Sequence, residues 1–197
     1  HHMPGAKWFE GARLNLAEQV FRHHEHAPER PAILSRSELR GLQTLTWGEL
    51  RERIAALAHS LRELGVGPGD RVVAYLPNLP ETMVAFFAVS SLGAIWSSCS
   101  PDMGTRSVLD RFRQIDPKVM IAVDGYRYGG KDFDRLSVVA GLRDQLPTLE
   151  QVVMLPYLNA DARLPGARYW DDLVREPAPM RFEQVPFDHP LWVVYSS

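Results

Sequence analysis

Two short stretches of this chain carry the residue types that handle phosphate. In Arg127-Tyr-Gly-Gly-Lys131, two cations bracket paired glycines just beyond the apolar run Lys118–Val123. An oxyanion needs fixed positive charge together with amide donors on backbone that can approach it closely; Arg127 and Lys131 supply the first, Gly129 and Gly130 the second. The other stretch is Ser196-Ser197, which directly follows the apolar Leu191–Tyr195. In open α/β proteins, a strand whose carboxyl end passes into small hydroxyl residues begins a phosphate-handling loop. Each stretch also has a plain reading. Arg127 and Lys131 fit solvated surface charge, and two serines with no glycines behind them fit an ordinary chain end.

Other chemistry-bearing residues point away from catalysis, and no catalytic residue is assigned. Cys99 lies among Ser97, Ser98 and Ser100, with no His or Asp in a triad pattern, and reads as a buried structural thiol. His23, His24 and His26 crowd a helix end, where the dipole favours cations and adjacent rings point apart rather than at one metal ion. Asp171 and Asp172 are neighbours on a short helix and do not face each other, which fits a solvated surface. Trp47, Trp96, Trp170 and Trp192 read as core, since no basic residues interleave with them to make a stacking platform.

The elements that position these residues follow from periodicity and punctuation. Asn15 is a helix cap, with Leu16, Val20 and Phe21 at helical spacing before Pro28. Pro31–Leu34 and Leu42–Thr46 form a hairpin near the N-terminus. Thr46-Trp-Gly-Glu49 has capping-box spacing, and Leu50, Ile54, Leu57, Ala58, Leu61 and Leu64 make one apolar stripe that ends at Gly65. Strands at 71–76, 94–96, 118–123 and 151–155 then alternate with helices at 82–92, 107–115 and 136–145. Ser97–Pro101 is read as loop, Tyr169–Arg175 as a short helix, Pro177–Pro190 as extended, and Leu191–Tyr195 as a buried strand. This alternation predicts an α/β fold with a mostly parallel sheet and helices on both faces.

Composition narrows the function. The 197 residues are 45% hydrophobic and 23% charged, with 22 basic against 24 acidic side chains. A chain of this length buries roughly 70% of its unfolded surface and needs no staples. A net charge of −2 without a dense Lys/Arg run argues against nucleic acid. The apolar stretch Met83–Trp96 is shorter than the ~20 residues of a membrane span, which argues against a membrane partner. One cysteine and no signal segment read as a cytoplasmic, reducing setting. His1-His2-Met3 reads as a tag remnant at residues 1–3.

Several segments together carry a resemblance. They are Lys7-Trp-Phe-Glu-Gly-Ala-Arg-Leu-Asn15, Thr46-Trp-Gly-Glu-Leu50, Gly67-Pro-Gly-Asp-Arg-Val72, Leu76-Pro-Asn-Leu-Pro-Glu81, Gly93-Ala-Ile-Trp-Ser-Ser-Cys-Ser-Pro-Asp102, Val108-Leu-Asp-Arg-Phe112, and Asp124-Gly-Tyr126 with Gly130-Lys131. On these the chain resembles the adenylate-forming acyl-CoA synthetase superfamily, in particular its acetoacetate–CoA ligase branch. The resemblance implies that residues 4–197 are the first part of the large N-terminal domain, truncated where the phosphate-binding loop starts. It implies a parent enzyme using ATP, coenzyme A (CoA) and Mg2+ to convert acetoacetate to its thioester through an acyl-adenylate, the fragment alone being inactive and binding none of them tightly. Ser196 and Ser197 would open the ATP phosphate loop. Arg127, Gly129, Gly130 and Lys131 would meet a CoA phosphate, although the family's second arginine is missing. Ser97 and Ser98 would line the pantetheine tunnel. Other short-chain acids remain alternative substrates, a free-standing non-catalytic binding module remains an alternative class, and a fragment would self-associate through an uncovered apolar face.

Overall fold

The computed structural model of the chain describes residues 5, 7–22, 24 and 26–196. Strand β1 (Arg13–Leu14) leads to helix α1 (Leu16–Arg22). Between them Asn15 caps the helix as expected, its Oδ1 accepting from the amides of Ala17 at 3.0 Å and Glu18 at 3.4 Å. The predicted hairpin is β2 (Pro31–Ser35) against β3 (Gln43–Thr46). Helix α2 (Trp47–Glu63) begins on a complete capping box: the Glu49 amide donates to Thr46 Oγ1, and the Thr46 amide donates to Glu49 Oε2 at 2.8 Å. Its stripe of Leu50, Ile54, Leu57, Ala58 and Leu61 is buried. Gly65 ends the helix at φ +83°, a conformation that side chains with a Cβ rarely adopt.

From here strand and helix alternate. β4 (Arg71–Tyr75), α3 (Pro80–Ser91), β5 (Ile95–Cys99), α4 (Thr105–Phe112) and β6 (Val119–Val123) are followed by a second hairpin, β7 (Gly125–Tyr128) and β8 (Lys131–Asp134). Then come α5 (Leu136–Gln145), β9 (Gln151–Leu155), β10 (Arg168–Tyr169), α6 (Trp170–Leu173) and β11 (Val185–Pro186), which pairs antiparallel with β1. Five parallel strands form the central sheet in the order β10-β9-β6-β4-β5.

Alternate side chains of each strand feed two cores. Val72, Ala74, Val119, Ile121 and Val153 pack with α1, α2, α3 and α6, while Val73, Tyr75, Met120, Ala122 and Met154 pack with α4 and α5. Helices therefore cover both faces, which is why these strands read as continuous apolar runs. Helix α3 is buried along most of its length, Met83 being exposed, and its serines stay satisfied by bonding back to the helix: Ser90 Oγ to the Phe86 carbonyl and Ser91 Oγ to that of Ala88, each at 2.7 Å. Asn15 ties the α3 terminus down, its Nδ2 donating to the carbonyls of Ser90 at 2.9 Å and Glu183 at 2.8 Å.

The structure corrects four expectations. Ser97–Cys99 is strand rather than loop, because Ser97, fully buried, finds a partner for its hydroxyl in the Val193 carbonyl at 2.9 Å. Arg127–Lys131, expected as a glycine loop, lies within a tight hairpin of residues 125–134. Gly129 and Gly130 sit at φ +59° and +72°, the two-residue turn whose twist matches its strands. Leu191–Tyr195 is not a buried strand: it runs beside β5, joined by a parallel Trp96–Trp192 bridge, with alternate residues exposed. Trp192 accordingly stands half-exposed against Phe86 rather than in the core, while Trp96 and Trp170 are buried. The short strands β1, β10 and β11 have no signal in the sequence, being two residues each.

Candidate functional site

The connection from β4 to β5 through α3 and the return through α4 to β6, on the opposite side of β4, make β4 the point where strand order reverses. In open parallel sheets, ligands sit outside the carboxyl ends of the strands at such a reversal. Because the strands are parallel, that rim gathers the Ser98–Pro101 end of β5, Asp124 and the β7–β8 hairpin after β6, and Ser196 beyond Tyr195. Ser197 and His23 lie outside the described residues.

The hairpin is fixed from below by Asp124, which is 3% exposed and accepts three amides from the segment after β9. Tyr157 and Leu158 donate to Oδ1 at 2.6 and 2.9 Å, and Asn159 donates to Oδ2 at 2.7 Å. Gly125 must be glycine, because a Cβ there would stand 2.6 Å from the Phe133 carbonyl and from Leu158. Across the strands Arg127 faces Asp132 and donates twice, Nε to Oδ1 at 2.5 Å and Nη2 to Oδ2 at 3.0 Å. That contact lowers the Asp132 pKa and raises that of Arg127. Much of the Arg127 charge is therefore committed to the hairpin. The Lys131 side chain, exposed at the turn, makes no hydrogen bond or ion pair among the described residues.

Two residues on this rim carry no sequence signal. Arg135 joins the hairpin to the end of β5, donating from Nε to the Pro101 carbonyl at 2.7 Å and from Nη2 to the Tyr126 hydroxyl at 3.2 Å. The Tyr75 hydroxyl donates to the same Pro101 carbonyl at 2.8 Å. Glu38, in the loop between β2 and β3, accepts the turn amides: Gly129 donates to Oε1 and Gly130 to Oε2, each at 2.8 Å. The two glycine amides thus point outward as a pair and already hold a carboxylate.

Of the remaining candidates, Ser97 is fully buried and bonded to Val193, and Ser98 is half-buried in β5. Ser196 is exposed after Tyr195, whose hydroxyl donates to the Arg111 carbonyl at 2.8 Å. Burial pushes the Cys99 thiol up in pKa, as befits a structural cysteine. His24 stacks on Trp47 with ring centroids 3.7 Å apart, and Asp171 and Asp172 are exposed on α6. No helix among the described residues is long and apolar enough to cross a membrane.

A family model for AMP-binding enzymes matches residues 20–197. The chain belongs to the AMP-binding enzyme family. Among AMP-binding enzymes it is 40% identical over 202 residues to acetoacetyl-CoA synthetase of Macaca fascicularis, covering 97% of this chain and 30% of that protein. It is 42% identical over 203 residues to acetoacetyl-coenzyme A synthetase of Rhizobium meliloti (strain 1021), covering 99% of this chain and 30% of the relative. The solved structure of acetoacetyl-CoA synthetase from Streptomyces lividans superposes with a TM-score of 0.95 at 52% identity, over 98% of this chain and 30% of that one. The chain thus spans about a third of the length of these AMP-binding relatives, with the α/β sheet and its rim inside the matched part.

Proposed function

We propose that this chain is the first part of the large N-terminal domain of an acetoacetate–CoA ligase, residues 4–197 of it lying upstream of the adenylation machinery. The overall reaction joins ATP, acetoacetate and CoA to give AMP, diphosphate and acetoacetyl-CoA by way of an acyl-adenylate. The names of the relatives support the substrate. The observation that carries this chain's own share is the β7–β8 turn, whose paired glycine amides hold a carboxylate beside exposed Lys131.

In this reading the turn receives the 3′-phosphate of CoA: Gly129 and Gly130 donate their amides, Lys131 adds a mobile cation, and Arg127 stiffens the hairpin through Asp132. The rim end of β5, with Ser97 and Ser98, flanks the pantetheine arm, Ser97 by holding the neighbouring segment and Ser98 by contact. Ser196, with Ser197, opens the loop for the ATP phosphates. Magnesium neutralises phosphate charge during adenylation, but no group of three or more His, Cys, Asp or Glu among the described residues fits it, and it is assigned to none of them. The setting is cytoplasmic, and exposed Trp192 and Val194 favour self-association of the isolated chain.

The test uses the gene product that carries this chain. Acetoacetate should drive ATP–pyrophosphate exchange better than acetate or propionate, and the 197-residue chain alone should show no exchange. Lys131→Ala should raise KM for CoA by about tenfold while leaving exchange, which precedes CoA attack, unchanged. Preference for another acid would overturn the substrate; loss of exchange in the lysine variant would overturn the role of the hairpin.

A further inference from the structure

We propose that Glu38 is a tethered competitor for the anion seat of the β7–β8 turn, so that a phosphate ligand binds there only by displacing it. The Gly129 and Gly130 amides donate to the two oxygens of one carboxylate, each at 2.8 Å, from a residue 91 and 92 positions away in sequence. Adjacent glycines, both at positive φ, present adjacent amides to a single oxyanion, a geometry that accepts a phosphate as readily as a carboxylate. Glu38 also acts electrostatically on Arg127 of the same hairpin.

The latch is built to be exchanged. Glu38, Gly129, Gly130 and Lys131 are all exposed, so water can take over the hydrogen bonds of either partner as the contact opens. The rest of the β2–β3 loop is held independently. Tyr157 donates its hydroxyl to Ser37 Oγ at 2.6 Å, and Arg40 donates to Glu81 Oε1 at 2.6 Å while stacking over the Tyr157 ring. Glu38 can therefore leave the turn without unmooring the loop that carries it. A phosphate brings more negative charge and more acceptor oxygens than the carboxylate it replaces, and it gains the Lys131 side chain, which Glu38 leaves without a hydrogen bond.

The inference rests on the hairpin being a phosphate seat, and the experiment separates the two. In the gene product that carries this chain, Glu38→Gln and Glu38→Ala are compared with the unmodified protein by calorimetric titration of CoA and 3′-dephospho-CoA. Inorganic phosphate is titrated in parallel against the Gly129 and Gly130 amide resonances. Both variants are expected to bind CoA at least about fivefold more tightly, with 3′-dephospho-CoA unchanged, and their glycine amides should shift at lower phosphate concentration. If the unmodified protein prefers CoA to the dephospho form but neither variant binds it more tightly, Glu38 is a fixed latch and the inference is overturned. If no chain discriminates the two coenzymes, the CoA reading fails; the inference then survives only if phosphate still shifts the glycine amides earlier in the variants, and an unchanged titration overturns it too. Retained thermal unfolding in both variants shows that lost structure is not being read as lost affinity.

Discussion

Asp124 Oδ1 stands 2.6 Å from the amide nitrogen of Tyr157, joining the end of β6 to the segment after β9. With the Leu158 and Asn159 amides also donating to it, this one buried carboxylate organises two loops on the ligand rim. Asp124→Ala leaves those three amides without their acceptor, and the urea midpoint should fall by the equivalent of about 3 kcal/mol. Asp124→Asn should recover only part of this, since its NH2 group opposes the amide that Oδ2 accepts. A loss below about 1 kcal/mol for the alanine variant would mean that water replaces the carboxylate.

Gly125→Ala tests the packing under the hairpin. The added methyl would stand 2.6 Å from the Phe133 carbonyl oxygen, so β8 or the Leu158 loop must move. A destabilisation of about 1–3 kcal/mol is expected, with faster amide exchange at the turn. Unchanged exchange at Gly129 and Gly130 would show that the strain is absorbed elsewhere.

The capping box gives a pH dependence of known sign. Hydrogen bonds from the Thr46 amide and hydroxyl lower the Glu49 pKa in the folded chain. A lowered carboxylate stabilises the fold above its ordinary pKa, and that contribution disappears as pH falls through the lowered value. The chain should therefore unfold at higher urea than Glu49→Gln at neutral pH, and the two midpoints should converge as the solution is acidified below the ordinary carboxylate range. A gap that persists in acid would assign the effect to packing.

Ser97→Ala removes the hydroxyl that donates to the Val193 carbonyl at 2.9 Å. The backbone links from Trp96 to Leu191 and from Val193 to Trp96 remain. The expected loss is about 1 kcal/mol, concentrated as increased hydrogen exchange at the Val193 amide rather than spread over β4 and β6. Uniform loss of protection would instead make this segment part of the central sheet's cooperative unit.

What the sequence determined by itself was whatever depends on near neighbours. Caps at Asn15 and Thr46, the stripe of α2 and the apolar runs of β4, β6 and β9 are written in residues a few positions apart, so the parallel sheet with helices on both faces was legible. The Arg127–Lys131 stretch was recognisable as suited to an anion because residue type alone sets charge and backbone freedom. Only the tertiary structure decided what those groups touch. Asp132 engages Arg127 because a two-residue turn folds β8 back on β7, and Glu38 fills the glycine amides because a loop from 91 positions away reaches them. Ser97 became strand, and Leu191–Tyr195 an edge segment, because each is settled by what lies across the sheet. Composition states which side chains can be buried or bonded; the partner that satisfies them is chosen by the packing of distant segments.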